Sequence, residues 1–307
     1  MLDAGLIVSR FVHFAAVLAL FGASLFPIYA YEGHLDDGSK RLLDRLRPVL
    51  AGAAALAIAS GLGWFAFTCA AMSGSLAGAF DPQVLTTIVR ATDFGPLWLA
   101  RLALAVMLFG YVLARPPARR REWTLPVLAG LLLASFAGTG HARAGEGLAG
   151  AIHVIADVAH LIAAGVWLGG LWPLAAALAW AHAGEDRRAH AAAELLSRFS
   201  GVGYVAVAVL VGSGLVNSWY LVGSVGALAG TTYGRLLSVK IALFLFMAML
   251  AGANRFWITP GLHAAKIGTE TLWLRRIRRH VAAEMALGLL VIALVSLFGT
   301  LQPAIEG

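Results

Sequence analysis

The chain has 307 residues, 60% of them hydrophobic and 13% charged, with a mean hydropathy of +0.81. Soluble domains average ~25% charged residues, and a fold this apolar lacks the polar atoms to cover itself in water, which excludes an ordinary soluble enzyme, a disordered chain and a nucleic-acid-binding module. The net charge of +7 reads as arginines in loops on one side of a membrane, and the lone cysteine, Cys69, excludes a disulfide scaffold or a Cys-cluster metal site.

Eight apolar runs approach the ~20 residues that a bilayer crossing needs: Leu6–Tyr31, Val49–Met72, Phe94–Ala114, Trp123–Thr139, Ala151–Ala181, Phe199–Val222, Leu236–Trp257 and Val281–Leu301. The fourth is short. Lipid offers no water to orphaned backbone groups, so the runs are predicted to be helices, and the alternating segments of a β-barrel are missing. The expected fold is all-α and polytopic, with eight transmembrane helices. The first run carries Asp3 and no basic residue at its start, which argues for a retained helix rather than a cleaved signal peptide. Loops after the odd-numbered runs hold sixteen Lys and Arg, including Lys40, Arg41, Arg119, Arg120, Arg121 and Arg275; the opposite loops hold three, Arg90, Arg143 and Arg235. Basic loops face the cytoplasm, so both termini are predicted to be periplasmic.

The halves resemble one another, approximately 1–145 and 146–307. Arg10, His13, Gly22 and Pro27 in run 1 correspond to Asp157, His160, Gly169 and Pro173 in run 5. Ser60-Gly61-Leu62 corresponds to Ser213-Gly214-Leu215, Arg101 to Lys240, and Ser135 to Ser296. The order is parallel, which predicts a 4+4 repeat about an axis along the membrane normal, with function where the repeats meet. Within this single membrane domain, 1–181 takes in the first repeat and run 5, and 182–307 the remaining three runs.

Ionisable residues at membrane depth cost about 2.5–3.5 kcal/mol each on insertion scales and so need a reason. His153, Asp157 and His160 lie at i, i+4 and i+7 of run 5, within about 60° of arc on one helix face. Imidazole suits Cu, Zn, Fe or Ni; the competing reading is that Asp157 pairs with a base and the histidines bond to neighbouring helices. If runs 1 and 5 face each other, Arg10 pairs with Asp157 and His13 converges with His160, with room for one metal or one haem b between the rings; if they are separated, each histidine has its own partner. Arg101 and Lys240 add positive charge near the outer side, as partners of Asp157, as snorkelling cations or as a barrier to other cations. Arg255 and Glu284 suggest a structural pair near the inner side.

His141, after Gly138-Thr139-Gly140, is a candidate ligand at the entrance or an idle loop residue. Cys69 and Met72, three apart, are either soft donors suited to Cu(I) or a small core pair. Trp167 and Trp172 flank Gly169-Gly170, where helices can approach closely. No phosphate-cradling loop, nucleophile elbow or His-Glu-x-x-His site is present, so a non-enzyme is expected.

Three segments carry a resemblance: Arg10-Phe11-Val12-His13-Phe14-Ala15 with Leu20-Phe21-Gly22-Ala23; His153 through His160-Leu161 into Trp167-Leu168-Gly169-Gly170-Leu171; and Gly234-Arg235-Leu236-Leu237-Ser238-Val239-Lys240. The chain resembles the copper resistance D (CopD) family of bacterial inner-membrane proteins over nearly its whole length. The resemblance implies copper homeostasis, usually movement of copper from periplasm to cytoplasm, with a small periplasmic copper-binding protein of the CopC type as partner and lipid all round. Carried over residue by residue, it falls on His13, His153, Asp157 and His160. The inner half departs from a soft-ligand route for Cu(I).

Overall fold

The computed structural model describes residues 2–31, 37–92, 94–114, 123–139, 147–181, 186–264 and 269–305. Among them there is no strand. The long helices are α1 (Leu2–Ala30), α2 (Asp37–Ser73), α4 (Phe94–Ala114), α6 (Gly147–Ala181), α7 (Asp186–Val222), α9 (Thr232–Ala253) and α11 (Glu270–Phe298). Short helices α3 (Pro82–Ala91) and α8 (Val225–Gly230) join α2 to α4 and α7 to α9, α5 (Thr124–Ala134) precedes α6, and α10 (Thr259–His263) follows a π-turn at Asn254–Ile258. Seven helices are long and apolar enough to cross a bilayer, the sixth running from α9 through the π-turn into α10.

The fourth expected crossing is the exception. Residues Thr124–Ala137 are apolar but shorter than the others, because the chain tightens into a 3₁₀ turn at Ser135–Thr139. The Ser135 hydroxyl donates to Leu132 O (2.6 Å), and the Arg101 guanidinium donates to Ser135 O (2.7 Å) and Oγ (3.0 Å). A hydroxyl turned back on its own helix and a cation drawing on the carbonyl both compete with continued α-helical bonding.

α1 and α6 are the most buried spans and pack against each other at the centre. α1 also packs on α2, α5 and α11, while α6 packs on α7, α5 and α11. Two cores result. One gathers Phe14, Leu20, Trp64, Trp98, Leu132 and Phe136 around α1, α2, α4 and α5; the other gathers Trp167, Leu171, Leu178, Phe199, Met247 and Ile277 around α6, α7, α9 and α11. The central crossing is made by glycines: a Cβ on Gly22 would stand 2.0 Å from the Gly169 carbonyl carbon, and one on Gly169 would stand 2.0 Å from Leu18 O. Only a residue without a side chain lets the two backbones meet there.

Several local devices occur twice. α2 ends at Gly74 and α7 at Gly223, with φ of +73° and +72°; a left-handed residue suits glycine and closes a helix C-terminus. The next residues, Ser75 and Ser224, cap the following short helix through the backbone N–H groups of Gly78 and Ala227. Thr92 and Thr231 then accept from the N–H groups of Gly95 and Gly234, and both glycines lie hard against the preceding short helix. At the opposite end, arginines cover helix C-termini. Arg47 donates to Leu113 O (2.9 Å) and Arg198 to Ala30 O (3.3 Å), satisfying carbonyls that a helix end leaves open.

Candidate functional site

The two intramembrane histidines are anchored by the same device on different helix pairs. His13 of α1 donates from Nδ1 to Ala57 O (2.9 Å), with Ser60 Oγ at 3.2 Å, on α2. His160 of α6 has Ser213 Oγ of α7 at 3.0 Å from Nδ1, and it also bonds the Leu210 backbone. Each serine donates its own hydroxyl proton one turn back, Ser60 to Leu56 O (2.6 Å) and Ser213 to Val209 O (2.5 Å). A carbonyl and a committed hydroxyl oxygen can only accept, so Nδ1 carries the ring proton and Nε2 keeps its lone pair. Gly61 and Gly214 clear space over the two rings at Cε1.

From there the environments diverge. His13 is 1% exposed and boxed by Trp64 (ring centroids 5.7 Å), Trp98 (6.0 Å) and Phe136 (5.2 Å); its Nε2 is buried without a partner. The box also holds Arg101, whose guanidinium carbon lies 4.9 Å from the Trp98 ring and 4.8 Å from Phe136. Three aromatic faces and Ser135 supply what a buried cation lacks when taken out of water. Arg101 is therefore neither snorkelling nor paired with Asp157.

His160 instead lines a cavity of about 570 Å³, together with His153, Asp157, Asn217, Tyr233 and Lys240. Asn217 Nδ2 donates to Asp157 Oδ1 at 3.3 Å, and its own Oδ1 is buried with no partner. His153 stacks on Tyr220, 4.7 Å between centroids and 9° between planes. Lys240 faces the same space rather than snorkelling outward. The lower wall is apolar and reaches Trp167, Phe244 and the Met247 thioether. Val211 and Leu215 of α7 and Ile241 and Leu245 of α9 also line it while remaining exposed on the outer face of the molecule, so the cavity opens sideways between α7 and α9.

Several expectations are corrected. His13 and His160 do not converge: His160 faces the cavity, whereas the aromatic box closes His13 off from it. A haem held between the two would need both Nε2 atoms to face one space, and the residues do not fit it. Arg10 reaches the cavity wall but makes no ion pair with Asp157 among the described residues; it donates to Gly299 O (3.1 Å) and lies over Trp64, 4.9 Å from its ring. Cys69 is fully buried while Met72 is 59% exposed, so three residues along α2 turn one sulfur inward and the other outward. Arg255 and Glu284 do not pair: Arg255 donates to Ser197 Oγ (2.9 Å), and Glu284 accepts from Asn254 Nδ2 (2.9 Å) and from the Trp167 indole. His141 lies outside the described residues.

Among the described residues no three His, Cys, Asp or Glu side chains converge on one metal position. His153, Asp157 and His160 share a wall, not a closed coordination sphere. Sequence reasoning missed Ser213 and Asn217, which hold His160 and Asp157 from α7. The signal was present in the Ser-Gly-Leu match between the halves, but a lone serine or asparagine in an apolar helix names no partner.

Two family profiles match: "Copper resistance protein D-like, N-terminal domain" over residues 1–151, and "Copper resistance protein D" over residues 193–298. The chain is 33% identical to Copper resistance protein D of Pseudomonas syringae pv. tomato, over 97% of this chain and 96% of that one. It is 28% identical to Inner membrane protein YebZ of Escherichia coli, over 96% and 97%. It is 32% identical to Copper transport protein CutJ of Bacillus subtilis, over 99% of this chain and 55% of that protein. No solved structure matches the chain. With these matches along its length and seven apolar helices, the chain belongs to the copper resistance protein D family and is a multi-pass inner-membrane protein.

Proposed function

We propose that this chain takes copper from the periplasmic side into the cavity between α6, α7 and α9 and moves it across the inner membrane toward the cytoplasm. The observation that carries the reading is His160: Ser213 takes Nδ1, leaving a lone pair on Nε2 in a ring that lines a cavity with Asp157. Metal-binding histidines are oriented in this way by a partner on the other ring nitrogen. Asp157 supplies the anion, Asn217 Oδ1 an uncommitted acceptor, and His153 a second imidazole; the apolar walls exclude water. Copper enters as cargo, and no chemical conversion is required of the protein. The names of the relatives, copper resistance and copper transport, support the cargo. A small periplasmic copper-binding protein of the CopC type is the proposed donor.

The paired devices at His13 and His160, Gly74 and Gly223, Thr92 and Thr231, and the crossing at Gly22 and Gly169 support a duplicated 4+4 architecture. In that reading α5 with its 3₁₀ extension is the eighth crossing. Eleven α-helical and five 3₁₀ residues span about 27 Å, close to the ~30 Å hydrocarbon core. An even number of crossings, with the arginine-covered helix ends on the cytoplasmic side, supports periplasmic termini in this reading. One repeat keeps its histidine in a filled aromatic box, and the other keeps its histidine in an open cavity.

The test is metal analysis and a visible spectrum of the purified protein. Wild type binds copper, His160→Ala loses it, His13→Ala keeps it, and none shows a Soret band. Copper retained in full by His160→Ala and by the double variant His153→Ala/Asp157→Ala would overturn the reading.

A further inference from the structure

Below the cavity lies a second polar cluster that the outer site does not use. Glu284, midway along the α11 span, is 2% exposed, accepts from Asn254 Nδ2 at 2.9 Å and also accepts from the Trp167 indole. Asn254 opens the π-turn, its Oδ1 is buried without a partner, and its backbone carbonyl takes the Thr259 hydroxyl at 2.8 Å. π-turns inside helices recur at functional sites because they widen the ladder and free backbone groups. Trp167 belongs to both places: its ring lines the cavity while its N–H holds Glu284. Intramembrane carboxyls are expensive and mark ion or proton pathways.

The groups around Glu284 decide which ion it serves. Both identified partners are N–H donors, which point hydrogens at the carboxyl and leave a metal cation poorly received. Among the described residues Glu284 makes no ion pair. Arg255 is turned to Ser197, Arg198 to Ala30 O and Glu194, and the arginines at 275, 276, 278 and 279 are exposed. His280 lies one turn away on the same helix with Nδ1 buried and unpartnered.

We propose that Glu284 is a proton-binding station, linked to the cargo cavity through Trp167, which couples copper movement to proton exchange. The proposal rests on the copper-transport reading. The ionised carboxylate offsets the charge of a copper ion descending past Trp167. It then takes one proton from hydronium on the inner side, forming a single O–H bond and leaving water, and the ion is released inward. That proton passes to water on the outer side when the next ion arrives, so the interior loses protons as copper enters, and no electron moves.

The experiment uses the full chain in liposomes supplied with copper ions, reading entrapped metal and the internal pH together from pH 5.5 to 8. Glu284→Gln keeps an acceptor for Asn254 and Trp167 and cannot ionise. Wild type is expected to change the internal pH as copper enters and to show a several-fold dependence of uptake on pH. Glu284→Gln should lose both, while His280→Gln keeps them. As a reading independent of flux, infrared difference spectra of wild type on adding copper should show a carboxyl band that Glu284→Gln lacks. Wild-type vesicles that take up no copper would overturn copper transport and the proton station with it. Copper uptake with the same pH profile and internal pH change in Glu284→Gln would overturn the proton station alone.

Discussion

A histidine with one nitrogen already bonded is a prepared ligand, and Ser213 does the preparing. Removing it leaves the Leu210 backbone bond to hold the His160 ring, and losing such an outer partner weakens metal sites by roughly 10–100-fold. Ser213→Ala should therefore bind copper more weakly by about that factor, read by titration against a competing chelator. Lys240 acts in the opposite sense, because an ammonium facing the same cavity repels a cation and competes for Asp157. Lys240→Met is expected to tighten copper binding by about tenfold, on the order of 1.4 kcal/mol; unchanged affinity would place the ammonium outside the binding field. The face of His153, Asp157 and His160 was readable from its helical spacing, since 3.6-residue periodicity alone brings the three to one side. What they meet was not. Asn217 reaches Asp157 from α7, 60 residues along the chain, and Trp64, Trp98 and Phe136 close over His13 from three other elements. No periodicity records such meetings.

Among the elements, the α1–α6 crossing is the least tolerant of change. Gly22→Ala places a methyl group within the Gly169 backbone, and overpacking of this kind costs about 1–3 kcal/mol. Gly252 in α9 has nothing within 4 Å of its would-be Cβ, so Gly252→Ala should be neutral or stabilise the helix by up to ~1 kcal/mol. Thermal unfolding of the two variants in the same detergent should separate them by several degrees in opposite directions. Hydropathy located every long span, because lipid demands a continuous apolar run. Its fourth run, Trp123–Thr139, coincides with α5 and the 3₁₀ turn that follows; it did not reveal that one serine and an arginine from α4 end the α-helical bonding at Ala134. Matching positions in the two halves of the sequence also proved a poor guide to direct contact. Arg10 and Asp157 occupy matching positions, yet Arg10 donates to the Gly299 carbonyl after α11 while Asp157 accepts from Asn217 of α7.

At the scale of the whole molecule, the distribution of charge sets orientation. Cys69 is buried, so a Cys69→Ser background allows single cysteines to be placed at will. Asp3→Cys and Ile305→Cys are expected to react with a membrane-impermeant thiol reagent added to intact spheroplasts, and Arg47→Cys only after lysis. Labelling of one terminus without the other would mean an odd number of crossings and would remove α5 from the bilayer. The two halves also divide their labour unequally: aromatic rings fill one, and the other keeps an opening between α7 and α9. That side opening matters at the bench. A short-chain surfactant can slip its tail through the gap and occupy the very volume in which the metal is to be weighed, so solubilised protein should under-report copper relative to the same protein held in a lipid nanodisc.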